Sequence, residues 1–295
     1  MKKILLMSVF CFTLVMLAAC GSDDASGEDD GASSLDKLKD KGTVTVGFAN
    51  EKPYAYQDDN GELKGAAVDI ATAVFKELGV DNVDGQLADF SKLIPGLNAG
   101  KFDVITAGMA ITPERCENAA FGEPEMMYGE GLIVQKGNPL DLHSYKDLAE
   151  KDATVSIMSG ATENGFVEKE GVDKGQVQSA PDIPATFSAV ESGRADATTG
   201  TEMTIKMALE SSDSDKLEFV EDFEQPEDIE GVPSYGAAAF SKDNDELREA
   251  YNEKLAELKE SGKVAELLEA NGFNGETNSV PDDITAESVC NGENY

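Results

Sequence analysis

Short β-rich runs alternate with helical patterns along most of the chain after residue 34. The run Thr43–Phe48 predicts a strand, and apolar residues then recur at helical spacing over 67–78 until Gly79 ends the helix. The same rhythm restarts with a strand at 154–158 and a helix at Ile183–Glu191. Further strands are predicted at 102–106, 131–134 and 195–199, and further helices at 93–97, 162–169 and 244–270 with a break at Gly262. Strands and helices that alternate in this way are typical of an α/β fold with largely parallel sheets.

Two polar segments next to apolar strands predict points at which the chain passes between two lobes. They lie at 135–139 and 233–236. We therefore expect a discontinuous first lobe at 35–135 and 235–275, a second lobe at 136–234, and a C-terminal tail at 276–295. A cleft between lobes is a preferred place for a small-molecule site, and two hinge crossings allow the cleft to close around a ligand.

The first twenty residues are typical of a targeting segment. Lys2 and Lys3 precede an apolar stretch over 4–17, which is too short to span a bilayer comfortably. The sequence LAAC at 17–20 resembles the bacterial lipobox, in which the cysteine is diacylated and becomes the mature N-terminus. The resemblance implies a lipoprotein signal peptide at 1–20, lipidation at Cys20 and an extracytoplasmic, membrane-anchored protein. An ordinary secretory signal with a chance cysteine is the alternative.

The segment that follows, 21–34, is rich in Gly, Ser, Asp and Glu and has no apolar periodicity, so we expect a flexible tether. With Cys11 in the signal segment and Cys20 lipidated, two cysteines remain, Cys116 and Cys290. In an oxidising compartment two cysteines suggest one disulfide. Two free thiols are the alternative, because the sequence does not show whether the two residues are close. The polar C-terminal tail is expected to be loosely attached unless Cys290 holds it.

The charge balance restricts the partners of the protein. The chain carries 24 Lys and Arg against 58 Asp and Glu, a net charge of −34. Such a surface repels nucleic acid and anionic lipid, so neither is expected as a partner. The acids are spread along the chain, which is typical of a solvated acidic shell that keeps a protein soluble in concentrated salt. We therefore predict a salt-adapted source.

A series of short motifs follows in a fixed order. The motifs are GFANEKPY (47–54), GELKG (61–65), VDI (68–70), LIPGL (93–97), FDV (102–104), ITPER (111–115), FGEP (121–124) and GRADA (193–197). In this order and spacing they resemble the polar amino-acid solute-binding proteins of ABC importers over 35–273. Four stretches look closer to the ectoine and hydroxyectoine-binding branch: FANE (48–51), PERCE (113–117), YGEG (128–131) and YGAAAF (235–240).

The resemblance implies a two-lobe periplasmic-binding-protein type II fold that captures a small zwitterionic solute by hinge closure. A monomer without a cofactor, which delivers its solute to an ABC transporter permease, is expected. A zwitterion needs a cation for its carboxylate, and the planar guanidinium of Arg115 can hold two oxygens at once. Glu51 is expected to neutralise the positive end, and Tyr54 and Phe90 to offer aromatic faces. A surface role for Arg115 and a packing role for the two aromatics are the alternatives.

Three further positions carry information about the ligand. Ala110 stands where ectoine binders carry a third aromatic residue, although its backbone N–H remains available to a carboxylate. The segment 159–162 precedes a helix, so its backbone N–H groups predict an anion-binding site with the Thr162 hydroxyl as an extra donor; a plain N-cap is the compatible alternative. Thr201 stands where many amino-acid binders carry an acid for the α-ammonium, which favours a cyclic solute; Glu202 replaces that acid if the register shifts.

Catalysis is the main rival function, because the fold implied by the resemblance also hosts dehydratases. The only histidine is His143, beside a predicted surface helix of the second lobe, and we expect it to be solvated. The sequence has no Gly-rich phosphate loop, no nucleophile elbow and no His/Cys cluster with metal-ligand spacing. We therefore predict a protein that is not an enzyme and holds no metal. A binding protein for a polar amino acid and an extracytoplasmic sensor are the remaining alternatives.

Overall fold

The computed structural model describes residues 33–227 and 229–293. The predicted signal peptide 1–20, the predicted lipidation site Cys20 and most of the predicted tether lie outside the described residues. Ser33 caps the first helix through its side chain, so the folded body begins two residues before the predicted boundary at 35. Within the described part of the chain, no helix is long and apolar enough to cross a membrane.

The described residues form thirteen strands and eleven α-helices. The strands are β1 Thr43–Phe48, β2 Tyr56–Gln57, β3 Leu63–Lys64, β4 Asn82–Leu87, β5 Val104–Ala110, β6 Ala120–Phe121, β7 Met126–Tyr128, β8 Glu130–Gln135, β9 Val155–Met158, β10 Val177–Ala180, β11 Ala197–Thr201, β12 Leu217–Phe219 and β13 Ser234–Phe240. The helices are α1 Ser34–Lys41, α2 Ala66–Glu77, α3 Leu93–Asn98, α4 Pro113–Cys116, α5 Tyr145–Glu150, α6 Glu163–Lys169, α7 Ile183–Glu191, α8 Glu202–Ser212, α9 Asp245–Glu260, α10 Lys263–Ala270 and α11 Ala286–Cys290. A 3-10 helix, Phe90–Lys92, precedes α3.

Eleven of these strands form two large sheets, one for each lobe, and β2 and β3 pair with each other in a separate two-stranded sheet. The first has the order β4-β1-β5-β13-β6, with β7 also paired to β13, and the second has the order β10-β9-β11-β8-β12. In the first sheet β1 is parallel to β4 and β5, and β13 returns antiparallel to β5. In the second, β9 is parallel to β10 and β11, and β8 runs antiparallel to β11 and β12. The predicted α/β class is confirmed.

The first crossing between the lobes lies earlier than predicted. β7 belongs to the first sheet and β8 to the second, so the chain crosses at Gly129 rather than at 135–139. The predicted lobe boundary at 135 is therefore wrong by about six residues. The physical reason is that β8 is almost wholly buried and apolar over 131–134, and a run buried on both faces fits the centre of either sheet. The return crossing ends where β13 begins at Ser234, within the predicted segment 233–236.

The core of the first lobe lies between its sheet and two helices. The apolar residues of α2 recur every three or four positions, so they form one face that packs against α9 and the sheet. Tyr251 of α9 is fully buried and packs its ring against Phe75 and Phe240 at centroid distances of 5.6 and 5.3 Å. Burial of each such aromatic side chain contributes roughly 1.5–3 kcal/mol, so this packing fixes the helices on the sheet that carries the cleft.

The C-terminal tail is held by a covalent bond. Cys116 of α4 and Cys290 of α11 form a disulfide with a Cα–Cα distance of 5.8 Å. Ala286 and Val289 are buried in the second core cluster of the first lobe. Thr285 and Ser288 form a reciprocal capping box, in which each side chain accepts the backbone N–H of the other residue at the start of α11. The tail is therefore packed on the first lobe, next to the helix that carries Arg115.

Candidate ligand-binding cleft

Residues of both lobes line one cavity of about 470 Å³, counted with its open mouth. The cavity brings together all seven predicted ligand-binding residues, namely Glu51, Tyr54, Phe90, Ala110, Arg115, Thr162 and Thr201. The structure therefore places in one cleft residues that lie up to 150 positions apart in the sequence.

Arg115 connects the two lobes at this cleft. It lies on α4, where the hydroxyl of Thr112 accepts the backbone N–H of Arg115 at 3.2 Å and caps the helix. Its Nη1 donates to the carbonyl of Ala110 at 2.8 Å in the first lobe, and its Nη2 donates to the carbonyl of Gly160 at 2.9 Å in the second. The guanidinium also lies 5.3 Å from the ring centre of Phe90, within cation–π range. Phe90 itself packs against core residues of both lobes.

The lobes are in close contact in this structure. Gly160 has a φ of 85°, a left-handed conformation that suits glycine. A Cβ added there would lie 3.0 Å from the Cα and Cβ of Ser91 in the first lobe. The second lobe therefore reaches the first by backbone-to-backbone approach, and the structure is that of a closed cleft.

Glu51 carries an unusual carboxyl group. It lies in the turn after β1, and its Oε1 is buried without a hydrogen-bond partner among the described residues. Burial raises the pKa of Glu51 to about 8, with a further increase from the charge of Glu163 and an opposing effect from Arg115. A buried carboxyl group that lacks a donor is suited to a ligand that brings positive charge and N–H groups.

Tyr54 combines a packing role with a place in the cavity wall. It is 3% exposed, and its ring packs edge-on against Tyr128 and Phe273 at centroid distances of 5.3 and 5.2 Å. Its hydroxyl is buried and makes no hydrogen bond within the described part of the chain. Gly108 supports this arrangement in two ways. Its carbonyl accepts a hydrogen bond from the hydroxyl of Tyr128 at 2.6 Å. Its φ is 58°, and a Cβ added there would overlap the ring of Tyr54.

The second lobe contributes a carboxylate that the sequence analysis did not select. Thr162 precedes α6 without a side-chain cap bond, and the first helical residue is Glu163, which is 3% exposed and lines the cavity. The helix that follows the predicted anion-binding segment 159–162 therefore carries a carboxylate, that of Glu163, in its first turn. Thr201 lines the cavity just before α8. Glu202, weighed as a replacement acid, does not line it and instead forms an ion pair with Lys206 at 3.6 Å.

A second buried acid lies behind Glu163. Glu130 is 1% exposed, and its carboxyl group forms a hydrogen bond with that of Glu163. One signal for Glu163 was present in the sequence: Phe166 and Val167 follow it by three and four residues, so Glu163 shares their buried face of α6. An acid on the apolar face of a short helix is the pattern that would have found it.

His143 lies outside the cavity. Its ring nitrogens contact Asp222 at 2.8 Å and Asp141 at 3.0 Å on the second lobe, and these hydrogen bonds raise the pKa of His143. Over residues 33–227 and 229–293, no cluster of three or more His, Cys, Asp or Glu side chains is arranged to hold a metal ion.

Comparisons with known proteins identify the family. Residues 44–272 match the family described as bacterial extracellular solute-binding proteins, family 3. The chain is 37% identical over 281 residues to the probable amino-acid ABC transporter periplasmic-binding protein y4tE of Sinorhizobium fredii (strain NBRC 101917 / NGR234), covering 94% of this chain and 92% of the relative. It is 31% identical to the probable amino-acid-binding protein YxeM of Bacillus subtilis (strain 168), covering 87% and 90%.

Solved structures give a similar result. The structure of EhuB in complex with hydroxyectoine matches with a TM-score of 0.78 and 34% identity, covering 87% of this chain and 97% of that one. An ancestral arginine-binding protein bound to arginine matches with a TM-score of 0.68 and 31% identity, covering 78% and 98%. The chain shares its two-lobe fold with binding proteins for both kinds of ligand.

Proposed function

The chain belongs to the bacterial extracellular solute-binding proteins, family 3, and we propose that it is a lipid-anchored member that captures ectoine or hydroxyectoine for an ABC importer. The solute-binding role, an extracytoplasmic location and the periplasmic-binding-protein type II fold are those of the family. The single observation that carries the choice of ligand is that Glu51 and Arg115 line the same cavity. Glu51 is an acid that can neutralise the delocalised cation of such a solute, and Arg115 is a guanidinium that can bind its carboxylate.

The present contacts of Arg115 support a carboxylate ligand. Both of its end nitrogens donate to backbone carbonyls, Ala110 on one side and Gly160 on the other. A carboxylate is a stronger acceptor for a guanidinium than a neutral carbonyl, and it can accept two parallel N–H groups. A bound zwitterion would therefore place its carboxylate at this guanidinium while its positive end lies against the unpartnered oxygen of Glu51.

Hinge closure is the proposed mechanism of capture. In the open form the first lobe supplies Glu51, Tyr54, Phe90 and Arg115, and the second lobe then closes over the solute with Thr162, Glu163 and Thr201. The solute favours the closed form only by its higher affinity for that form. The closed complex then delivers the solute to the permease.

A polar amino acid is the second candidate, and one observation favours it. The absence of an acid at Thr201 predicts a ligand without a primary ammonium, yet Glu163 supplies a carboxylate to the cavity from the same lobe. That carboxylate is suited to an α-ammonium group. The similarity to the structure of an ancestral arginine-binding protein bound to arginine also supports an amino-acid ligand.

Isothermal titration calorimetry on the soluble body from Ser22 onward, in molar salt, separates these candidates. We expect binding of ectoine or hydroxyectoine at micromolar concentration or tighter, and no heat from glutamine or arginine. Heat from an amino acid alone would keep the importer role and reject the ectoine assignment. Uptake measured in cells with Arg115→Ala tests the role itself, because a sensor that does not use this pocket would leave uptake unchanged.

The lipid anchor has its own test. A full-length Cys20→Ser variant should be released into the medium or the soluble fraction, whereas the natural chain should remain with the membrane. Equal membrane retention of both forms would reject the lipobox interpretation.

A further inference from the structure

Two carboxyl groups face the ligand cavity from opposite lobes. Glu51 lies in the first lobe and Glu163 in the second, and both line the same space. They are close enough that the charge of Glu163 raises the pKa of Glu51. Closure therefore brings like charges toward each other in a site with little water, and that arrangement is costly unless positive charge comes between them.

The position of Glu163 is fixed from behind by Glu130. No hydroxyl, amide or amine group of the described residues reaches Glu130 Oε2, and the Glu130 carboxyl instead shares a hydrogen bond with that of Glu163. Two carboxyl groups share a hydrogen bond only when one of them is protonated. Burial, followed by the charge of Glu163, raises the pKa of Glu130 well above its usual range. Glu130 is therefore the proton donor of the pair, and Glu163 is the member of the pair that lines the cavity.

The other titratable groups around this pair offset its negative charge only in part, because the pKa of Glu51 stays raised to about 8 despite the opposing effect of Arg115. The groups that interact electrostatically with Glu51, Glu130 or Glu163 are Arg115, Tyr54, Tyr128 and Tyr145. The tyrosines are neutral, since burial raises the pKa of each. Arg115 is the single cation among the described residues that line the cavity, and its end nitrogens already donate to two backbone carbonyls.

We propose that Glu163, positioned by the buried carboxyl of Glu130, is a second anionic contact for the ligand, and that the closed cleft requires positive charge between Glu51 and Glu163. A ligand cation with N–H donors on two sides supplies it, and without a ligand a proton does. This inference rests on the proposed solute-binding role and deepens it. A quaternary ammonium has no N–H donor, so it leaves both carboxyl groups without a hydrogen bond and is disfavoured.

The pH dependence of closure without ligand follows from Glu51. In the closed form its pKa is about 8, against an ordinary value of 4.5 for a solvated carboxyl in an open cleft. A group whose pKa is raised on closing takes up a proton when the cleft closes. The ligand-free closed form is therefore favoured at low pH, and this advantage is lost progressively as pH rises from about 4.5 to about 8.

The binding test compares Glu163→Gln with Glu168→Gln. Glu168 is an exposed residue of the same helix whose ion-pair partner is Lys174, so it is a matched control. With ectoine as the probe, or with arginine if arginine is the ligand, we expect Glu163→Gln to weaken binding about tenfold to a hundredfold. The control should stay within about twofold. Equal affinities for the two variants would overturn the inference.

Glu130→Gln provides a readout that a purely structural role would not give. Glutamine is a neutral donor like a protonated carboxyl, so it should still hold Glu163 and keep ligand affinity within about threefold of the natural chain. Glu130→Leu removes the donor and should weaken binding. A Glu130→Gln variant that folds and yet loses as much affinity as Glu163→Gln would refute the protonated state of Glu130.

Small-angle X-ray scattering of the ligand-free protein tests closure separately. The radius of gyration of the natural chain should rise between pH 5 and pH 9, and Glu51→Gln and Glu163→Gln should each reduce that rise. An unchanged pH response in both folded variants would overturn the inference even if ectoine binds. If no tested solute binds, the proposed function fails, and the scattering result still decides the electrostatic inference.

Discussion

Removal of the disulfide tests how the C-terminal tail stabilises the lobe that carries Arg115. Cys116 and Cys290 are separated by 174 residues, so the bond closes a very long loop in the unfolded chain. The chain-entropy model then gives a stabilisation of about 5 kcal/mol at 25 °C. The double variant Cys116→Ser, Cys290→Ser should lose free energy of unfolding of this size, because α11 can still pack but the unfolded chain regains its freedom.

Urea unfolding in molar salt, followed by circular dichroism because the chain has no Trp, measures this loss. With a slope of about 3 kcal/mol per molar urea, the midpoint should fall by about 1.7 M. The natural chain treated with a reductant should coincide with the double variant. An unchanged midpoint in reduced protein, with two free thiols demonstrated by titration, would refute the reasoning.

The remaining predictions concern the cleft and the acidic surface. Arg115→Lys keeps the charge but cannot make both end-nitrogen contacts at once, so solute affinity in calorimetry should fall about tenfold to a hundredfold; an unchanged affinity would contradict a two-point contact. Gly108→Ala forces a Cβ into the ring of Tyr54 at a positive φ, and should cost about 1–3 kcal/mol in thermal melts, whereas Gly100→Ala, which shares the positive φ and meets no atoms within 4 Å, should cost less. Removal of salt should lower the melting temperature, because the −34 net charge is then unscreened; a melting temperature independent of salt would reject the salt-adapted interpretation.

Much of the secondary structure follows from periodicity alone. Helix α7 has the predicted bounds Ile183–Glu191, and the predicted break at Gly262 separates α9 from α10, where Gly262 has a φ of 76°. Strand β5 differs, since it extends to Ala110 instead of ending at 106. Its second half contains Ala and Gly, which have low strand propensity, and it is a strand because it lies at the centre of a sheet against β13. Tertiary context decides such a segment.

The cleft residues were predictable for a different reason. Glu51 and Arg115 were selected by the chemistry of a zwitterion together with a family resemblance, and both line the cavity. Glu130 and Glu163 were not selected, because in a chain with 58 acidic residues the presence of an acid carries little information. What distinguishes them is burial, and burial depends on which strands and helices meet at the crossing. The crossing itself was misplaced, so the position of Glu130 could not be inferred.

The acidic composition and the cleft set opposite requirements for the same residue type. On the surface, acidic side chains are solvated, and they repel one another only weakly because dissolved salt screens their charges. In the cleft, the carboxyl groups of Glu51, Glu130 and Glu163 are removed from water, and a single guanidinium lies among them. Burial raises the pKa of both Glu51 and Glu130, so without a ligand the closed site favours their protonated forms. A zwitterion brings a cation for the carboxyl groups of Glu51 and Glu163 and a carboxylate for the guanidinium of Arg115. The site is thereby selective for a solute that carries both charges, and a purely cationic or purely anionic molecule leaves one of the two ends without its partner.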